Sequence, residues 1–389
     1  MAFVSGLVFG GSTTFLCHLT GELVRRGVQV IIVSPEAENA FASDFQAAGV
    51  KVVLQNGRLI FEDRLHSMLR TLAEFRPTVV VGCVGADSYE TLRYLPKGVF
   101  RMAVIQSHDQ ICYDVTAPYA GFTDAIVGVS TKIVERLGQM DAFRKVAKLC
   151  LFHGVPIPPQ AEPREGNVQP LRVLYLGRIV NEGKRVLVFP KILAVLQKSG
   201  IPFQWTIVGD GDRRAELERV MPSVSPAQQV MFPGAVPHAQ VSALLEKHDI
   251  FLLTSEVEGL PISLLEAMAH GLVPVVSDLE SGIRNVVDSS NGMLIPPDDV
   301  EGYARAIIHL HERRDELAAK SAAARARVKR EFSVEAMTDR WLAAFPPKPA
   351  AVSAWPTHWD IKPPLVARHP LYFSPPMRAI RRLAAKLRR

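Results

Sequence analysis

Short apolar runs alternate with helical-period segments along most of the chain, and glycines or polar turns separate them. Residues 3–9 read as an apolar strand, Gly10-Gly11-Ser12-Thr13 as a loop, 15–26 as a helix ending at Gly27, and 28–33 as the next strand. Runs apolar at every position suit a parallel sheet covered on both faces. Strand–helix–strand alternation builds a doubly wound sheet, whose ligands sit beyond the carboxyl ends of the strands. Further strands are predicted at 50–54, 78–84, 101–106 and 125–130, with a helix over 64–75. Residues 153–169, rich in proline, glycine and charge, cannot build a core and read as a connection. A second series follows, with strands at 171–176, from Trp205 and from Val230, and helices at 186–198 and 238–247. Helices at 300–313, 315–331 and 333–345 close it.

The stretch 250–277 carries the most chemistry. It reads as a buried strand (250–253), a loop, a helix (262–270) stopped by Gly271, and a second buried strand. Glu258 precedes the helix and Glu266 lies inside it. The backbone N–H groups of Gly259, Leu260 and Ile262 lie near the helix start, where unpaired donors and the positive dipole end favour an anion. Pro261 supplies no donor. Phosphate-seeking amides beside two carboxylates suit a sugar nucleotide. Taken alone, such acids are more often a helix cap and a solvated helix residue.

A chain of 389 residues exceeds what one core usually supports, so two domains are expected. Hydrophobic residues at 48% and charged residues at 22% are ordinary for a globular protein. No apolar run approaches the roughly 20 residues that span a bilayer. The opening nine residues lack the positive charge of a signal peptide and read as a first strand, so the expected location is cytoplasmic. Cys17, Cys83, Cys112 and Cys150 show no metal or disulfide spacing and read as buried thiols. Of the net charge of +6, residues 346–389 hold nine cations and one acid, which leaves the remainder at −2. The body therefore offers no reason to invoke nucleic acid.

The Glu258/Glu266 pair, set in Ser-Glu-x-Glu-Gly-Leu-Pro-x-Ser-Leu-Leu-Glu-Ala-Met-Ala-x-Gly-x-x-Pro-Val-Val, resembles the signature of family-4 retaining glycosyltransferases of the GT-B fold. The resemblance covers about residues 2–345 and implies two doubly wound Rossmann-like α/β domains facing across a cleft. They are an acceptor-side domain (1–158) and a nucleotide-sugar donor domain (159–332), with a crossover helix (333–345) returning to the first. Leu-Gly-Arg-x5-Lys is similar to the family's diphosphate clamp, which gives Arg178 and Lys184 catalytic roles; Arg185 stands where a small residue usually follows the lysine. The resemblance puts Glu258 on the transferred sugar, Glu266 on the ribose, and Gly10, Gly11, Gly209 and Val236 along the donor. His108, at a strand's carboxyl end, is either a structural histidine or a contact to the sugar, and Asp109 is a weaker acceptor-side candidate. Asp210 and Asp212 imitate a metal-binding acid pair, but the resemblance makes this a glycine turn. It implies neither metal nor cofactor. Asp212 reads as the N-cap of a helix over 213–221. His153-Gly154-Val155 departs from the family's Asn-Gly-Val, a change expected to concern the connection more than catalysis. The implied partners are a nucleotide-diphosphate-sugar donor and a glycan or lipid-linked acceptor. A GT-B epimerase and a silent nucleotide-sugar binder are the alternatives.

Nine prolines between Pro346 and Pro376 rule out a long helix there, so this segment reads as a linker that can lie along the body. In 377–389, Met377, Ile380, Leu383, Ala384 and Leu387 recur at helical spacing against six cations. That pattern fits a helix on an anionic membrane face and equally a solvated basic terminus.

Overall fold

The computed structural model describes residues 1–7, 10–36, 41–55, 59–159, 170–224, 229–346 and 352–366. The chain divides into two units, one formed by Met1–Phe152 with Thr338–Arg389, the other by His153–Met337. The last helix, Val334–Ala344, runs across the second division.

In the first unit seven strands form one parallel sheet: β1 (Ala2–Val4), β2 (Ile31–Ser34), β3 (Lys51–Leu54), β4 (Val79–Gly82), β5 (Phe100–Ile105), β6 (Ala125–Gly128) and β7 (Ala147–Cys150). Their order is β3-β2-β1-β4-β5-β6-β7, so the direction of winding reverses between β1 and β4, where Ala2 lies opposite Val80. The central strands β2, β4 and β6 are buried at every residue, as their continuous apolar sequence requires. The edge strands β3 and β7 are half exposed. Trp341 completes the core, its ring centroid 6.2 Å from that of Phe3 and 5.9 Å from that of Phe15. Asp339 pairs with Arg26 nearby.

Three features depart from the expectations. The first strand is shorter than 3–9, and residues 8 and 9 lie outside the described residues. The helix Gln110–Thr116 was not foreseen; at seven residues it is too short to show a period, and the Asp109 side chain caps it by accepting from the Ile111 amide at 3.2 Å. Of the four cysteines, only Cys17 and Cys83 are buried, while Cys112 and Cys150 are half-buried. All four are free, and burial pushes the Cys17 and Cys150 thiols up to about 11.

Residues 352–366, the described part of the proline-rich segment, lie along the first unit. Ser353 donates its amide to the Lys97 carbonyl (3.0 Å), Lys362 to the Tyr94 hydroxyl (3.0 Å) and Leu365 to the buried Glu90 carboxylate (3.2 Å). Trp359 and Ile361 are buried, and Trp359 stands edge-on to His66. Residues 377–389 lie outside the described residues. Among the described residues no helix is long and apolar enough to cross a membrane.

The second unit is also one parallel sheet, of β8 (Leu171–Leu176), β9 (Phe203–Val208), β10 (Val230–Gly234), β11 (Ile250–Leu253), β12 (Val273–Ser277) and β13 (Met293–Ile295). The order β10-β9-β8-β11-β12-β13 places the reversal between β8 and β11, with Ile250 opposite Val173. β11 and β12, the two strands of the stretch 250–277, are buried throughout. Asp212 is not the cap of the following helix: that helix spans Arg214–Val224, and Leu217 bonds back to the Arg213 carbonyl.

Candidate active site

The loops leaving β8 and β11 are neighbours because those strands adjoin at the reversal point, and hydrogen bonds join them. Glu256 donates its amide to the Gly183 carbonyl (3.0 Å), its carboxylate accepts from the Gly183 amide (3.2 Å), and Thr254 Oγ1 donates to the Lys184 carbonyl (3.0 Å). This brings Lys184 Nζ to 2.5 Å from Glu258 Oε1. Ser255 Oγ donates to the same oxygen at 2.6 Å. Glu258 is 9% exposed, so the ion pair stands largely out of water, where a charge needs its partner.

Arg178 lies six residues before Lys184 on the β8 loop and is exposed. The Tyr175 hydroxyl holds the loop by donating to the Arg178 carbonyl at 2.6 Å, and burial pushes that phenol's pKa up. Among the described residues the Arg178 guanidinium has no acidic partner. A fixed backbone carrying an unneutralised planar cation is suited to a phosphate oxygen pair. Gly209 follows β9 at φ +138°, and a Cβ there would fall 1.8 Å from the Gly177 carbonyl oxygen. Asp210 bonds the Gly211 amide (2.8 Å) and lies 3.8 Å from Arg214, while Asp212 lies 3.7 Å from Arg213.

Arg185 occupies the left-handed region at φ 52°, which explains why glycine suits this position. The arginine tolerates it at a cost of about 1–2 kcal/mol, offset by bonds from its guanidinium to the Pro297 carbonyl (2.9 Å) and Asp298 (3.2 Å).

The helix Ile262–Ala269 begins after Pro261, as expected. Glu266, with 12% of its side chain exposed, sits 3.7 Å from His238 Nε2. His238 opens a short turn two residues beyond Val236, so Val236 and Glu266 belong to one end of this sheet. Gly259, Leu260 and Ile262 are buried at the helix start. His153 also reaches beyond the connection, its Nδ1 lying 3.0 Å from the Leu260 carbonyl oxygen.

Gly10, Gly11 and His108 belong to the first unit. Gly10, at φ +145°, opens the helix Gly11–Arg25 and accepts from the amides of Thr13 and Thr14. His108 follows β5, and its Nδ1 is 2.6 Å from the Tyr113 hydroxyl. Sequence reasoning missed Ser255, Tyr175 and Gly282, whose amide donates to the Gly259 carbonyl at 2.6 Å, as supports of the site. Ser255 stood inside the signature and carried a signal; the other two bond to backbone, which leaves none.

Two parallel α/β units of this kind define the GT-B fold class. The Anabaena protein HepE in complex with UDP-glucose superposes on 88% of this chain and 99% of its own, with a TM-score of 0.72 at 17% identity. Within that class, residues 170–313 of the second unit match the family described as Glycosyl transferases group 1. The amylovoran biosynthesis glycosyltransferase of Erwinia amylovora is 34% identical over 177 residues, 44% of this chain and 43% of that one. The lipopolysaccharide core biosynthesis glycosyltransferase of Rhizobium meliloti is 28% identical over 352 residues, 87% of this chain and 97% of that one. The chain spans under half the length of the exopolysaccharide relatives it matches.

Proposed function

We propose that the protein is a retaining glycosyltransferase that moves a sugar from a nucleotide-diphosphate donor to an acceptor hydroxyl in cell-surface glycan or glycolipid synthesis. The carrying observation is the Lys184–Glu258–Ser255 cluster at the carboxyl ends of β8 and β11, the reversal point where open α/β sheets bind ligands. Names of relatives in exopolysaccharide and lipopolysaccharide assembly support the acceptor class.

The energetic problem is departure of the diphosphate, which gathers negative charge as the glycosidic bond breaks. Arg178 and Lys184, with the amides of Gly259, Leu260 and Ile262, stabilise that charge from fixed positions. Glu258 presents to a sugar hydroxyl the carboxylate oxygen that Lys184 and Ser255 leave open, and Glu266 accepts from the ribose hydroxyls. In this reading the two cations supply the charge a divalent metal would otherwise bring, and the departing phosphate oxygen takes the acceptor proton. Retention follows the resemblance of 250–277 to the retaining family.

The test is transfer and slow donor hydrolysis across a panel of UDP-, GDP- and ADP-sugars, with and without EDTA, and the product anomer assigned by NMR. Unchanged rates in EDTA and a retained anomer are expected. No turnover of any donor overturns the enzyme reading in favour of a silent binder, and an inverted product overturns the stereochemistry.

The reading extends to a lipid-linked acceptor at an anionic membrane, reached through the six cations of 377–389. Sedimentation with vesicles of phosphatidylglycerol and phosphatidylcholine is expected to fall on removal of 377–389 and in high salt. Equal sedimentation of both chains overturns it.

A further inference from the structure

Two consecutive carbonyls of the loop before the helix Ile262–Ala269 are held from outside the loop. The Gly259 carbonyl accepts from the Gly282 amide at 2.6 Å, and the Leu260 carbonyl from His153 Nδ1 at 3.0 Å. A trans peptide points its C=O and N–H in opposite directions, so drawing the Gly259 oxygen toward Gly282 turns the Leu260 N–H the other way. Gly282 admits no side chain, since a Cβ there would stand 2.3 Å from the Gly259 oxygen and 2.7 Å from Leu260 Cβ. His153 is 3% exposed and its backbone neighbours are fixed. Val155 donates to the Phe332 carbonyl (2.9 Å) and accepts from the Val334 amide (3.1 Å), and a Cβ on Gly154 would meet the Ser333 oxygen at 2.5 Å. The amides of Gly259, Leu260 and Ile262 donate to no described residue.

We propose that His153 and Gly282 are positioning residues that hold the peptides on either side of Leu260 and so aim the Leu260 amide at the donor diphosphate, an inference resting on the nucleotide-sugar reading above. A carbonyl only accepts, so His153 acts with the proton on Nδ1. The bond joins residues 107 positions apart and makes the start of the second unit part of the phosphate cradle.

His153→Ala, His153→Asn, which keeps a side-chain donor, and Gly282→Ala are compared with the wild type in two measurements. Hydrogen exchange without ligand is expected to quicken in His153→Ala and Gly282→Ala at residue 282, whose amide donates to the Gly259 carbonyl, and at Leu265, whose amide donates to the Pro261 carbonyl, while β8 and β9 stay protected. Unchanged exchange at both amides, or exchange quickened throughout the unit, overturns the pinning whatever the activity. Calorimetric titration pairs UDP, GDP and ADP each with its nucleoside. His153→Ala is expected to bind the diphosphate about tenfold more weakly, as for loss of one hydrogen bond in the cradle, with the nucleoside affinity unchanged and His153→Asn in between. Equal losses for diphosphate and nucleoside overturn the phosphate role. A wild-type chain that binds none of the six overturns the nucleotide-sugar reading itself, and the exchange result then still decides whether His153 holds the loop.

Discussion

Replacing Lys184 with alanine is expected to lower the rate of sugar transfer by about 10²–10³-fold, the scale of removing one preorganised group that meets developing charge. Two effects combine in that number. The leaving diphosphate loses a cation, and Glu258, 9% exposed, is left with the Ser255 hydroxyl as its side chain's one hydrogen-bond partner among the described residues. The second effect also destabilises the fold, by up to about 3–5 kcal/mol for a fully buried charge and less here because part of the carboxylate meets solvent. Lys184→Met combined with Glu258→Gln separates them. The double change removes both charges, so the melting temperature recovers, whereas transfer stays slow. Arg178→Ala is the complementary case: the side chain is exposed and has no acidic partner among the described residues, so rate falls and stability holds. Single-turnover transfer and calorimetric melting of the four chains check this. A Lys184→Ala chain within threefold of the wild-type rate, or a double variant that regains the rate, removes Lys184 from the chemistry.

How far this site could be read in advance depended on the kind of bond involved. Continuous apolar runs such as 250–253 and 273–276 announce central parallel strands, and the loops after them announce a ligand edge. The edge strand Ala147–Cys150 announces nothing, because a half-exposed Ala-Lys-Leu-Cys has neither alternation nor a continuous apolar run. Glu258 and Lys184 were each legible from their motifs. Their 2.5 Å pairing across 74 residues was not, since it depends on β11 lying beside β8, a matter of strand order. Arg185 looked like a mismatch because the sequence gives its side chain, whereas the position selects a backbone angle. The contact from His153 to the Leu260 carbonyl was hidden for the same reason, since a carbonyl acceptor can belong to any residue type.

Gly209→Ala is expected to be the most destabilising single-methyl change in the second unit, costing about 4 kcal/mol or more, the range that marks a forced backbone rearrangement. The added carbon would stand 1.8 Å from the Gly177 oxygen and 2.9 Å from the Gly177 carbonyl carbon, and both belong to backbone. Relief requires β8 and β9 to part just where Gly177 donates to the Val208 carbonyl (3.1 Å), beside the bond from Gly209 to the Gly234 carbonyl of β10 (3.0 Å). Gly200→Ala provides the control: it too has positive φ, at 73°, but nothing lies within 4 Å of its added carbon, so it incurs only the left-handed cost of about 1–2 kcal/mol. For a unit of this size each kcal/mol lowers the melting temperature by about 2–4 °C, so the two variants should separate by several degrees in calorimetry. The consequence reaches Arg178, which follows Gly177 directly, so Gly209→Ala should also weaken nucleotide diphosphate binding where Gly200→Ala does not. Equal melting temperatures for the two variants would show that β8 and β9 yield easily. Gly209 would then be required by the donor's approach alone; a large difference makes it first a condition of the strand spacing that holds the Arg178 loop in place.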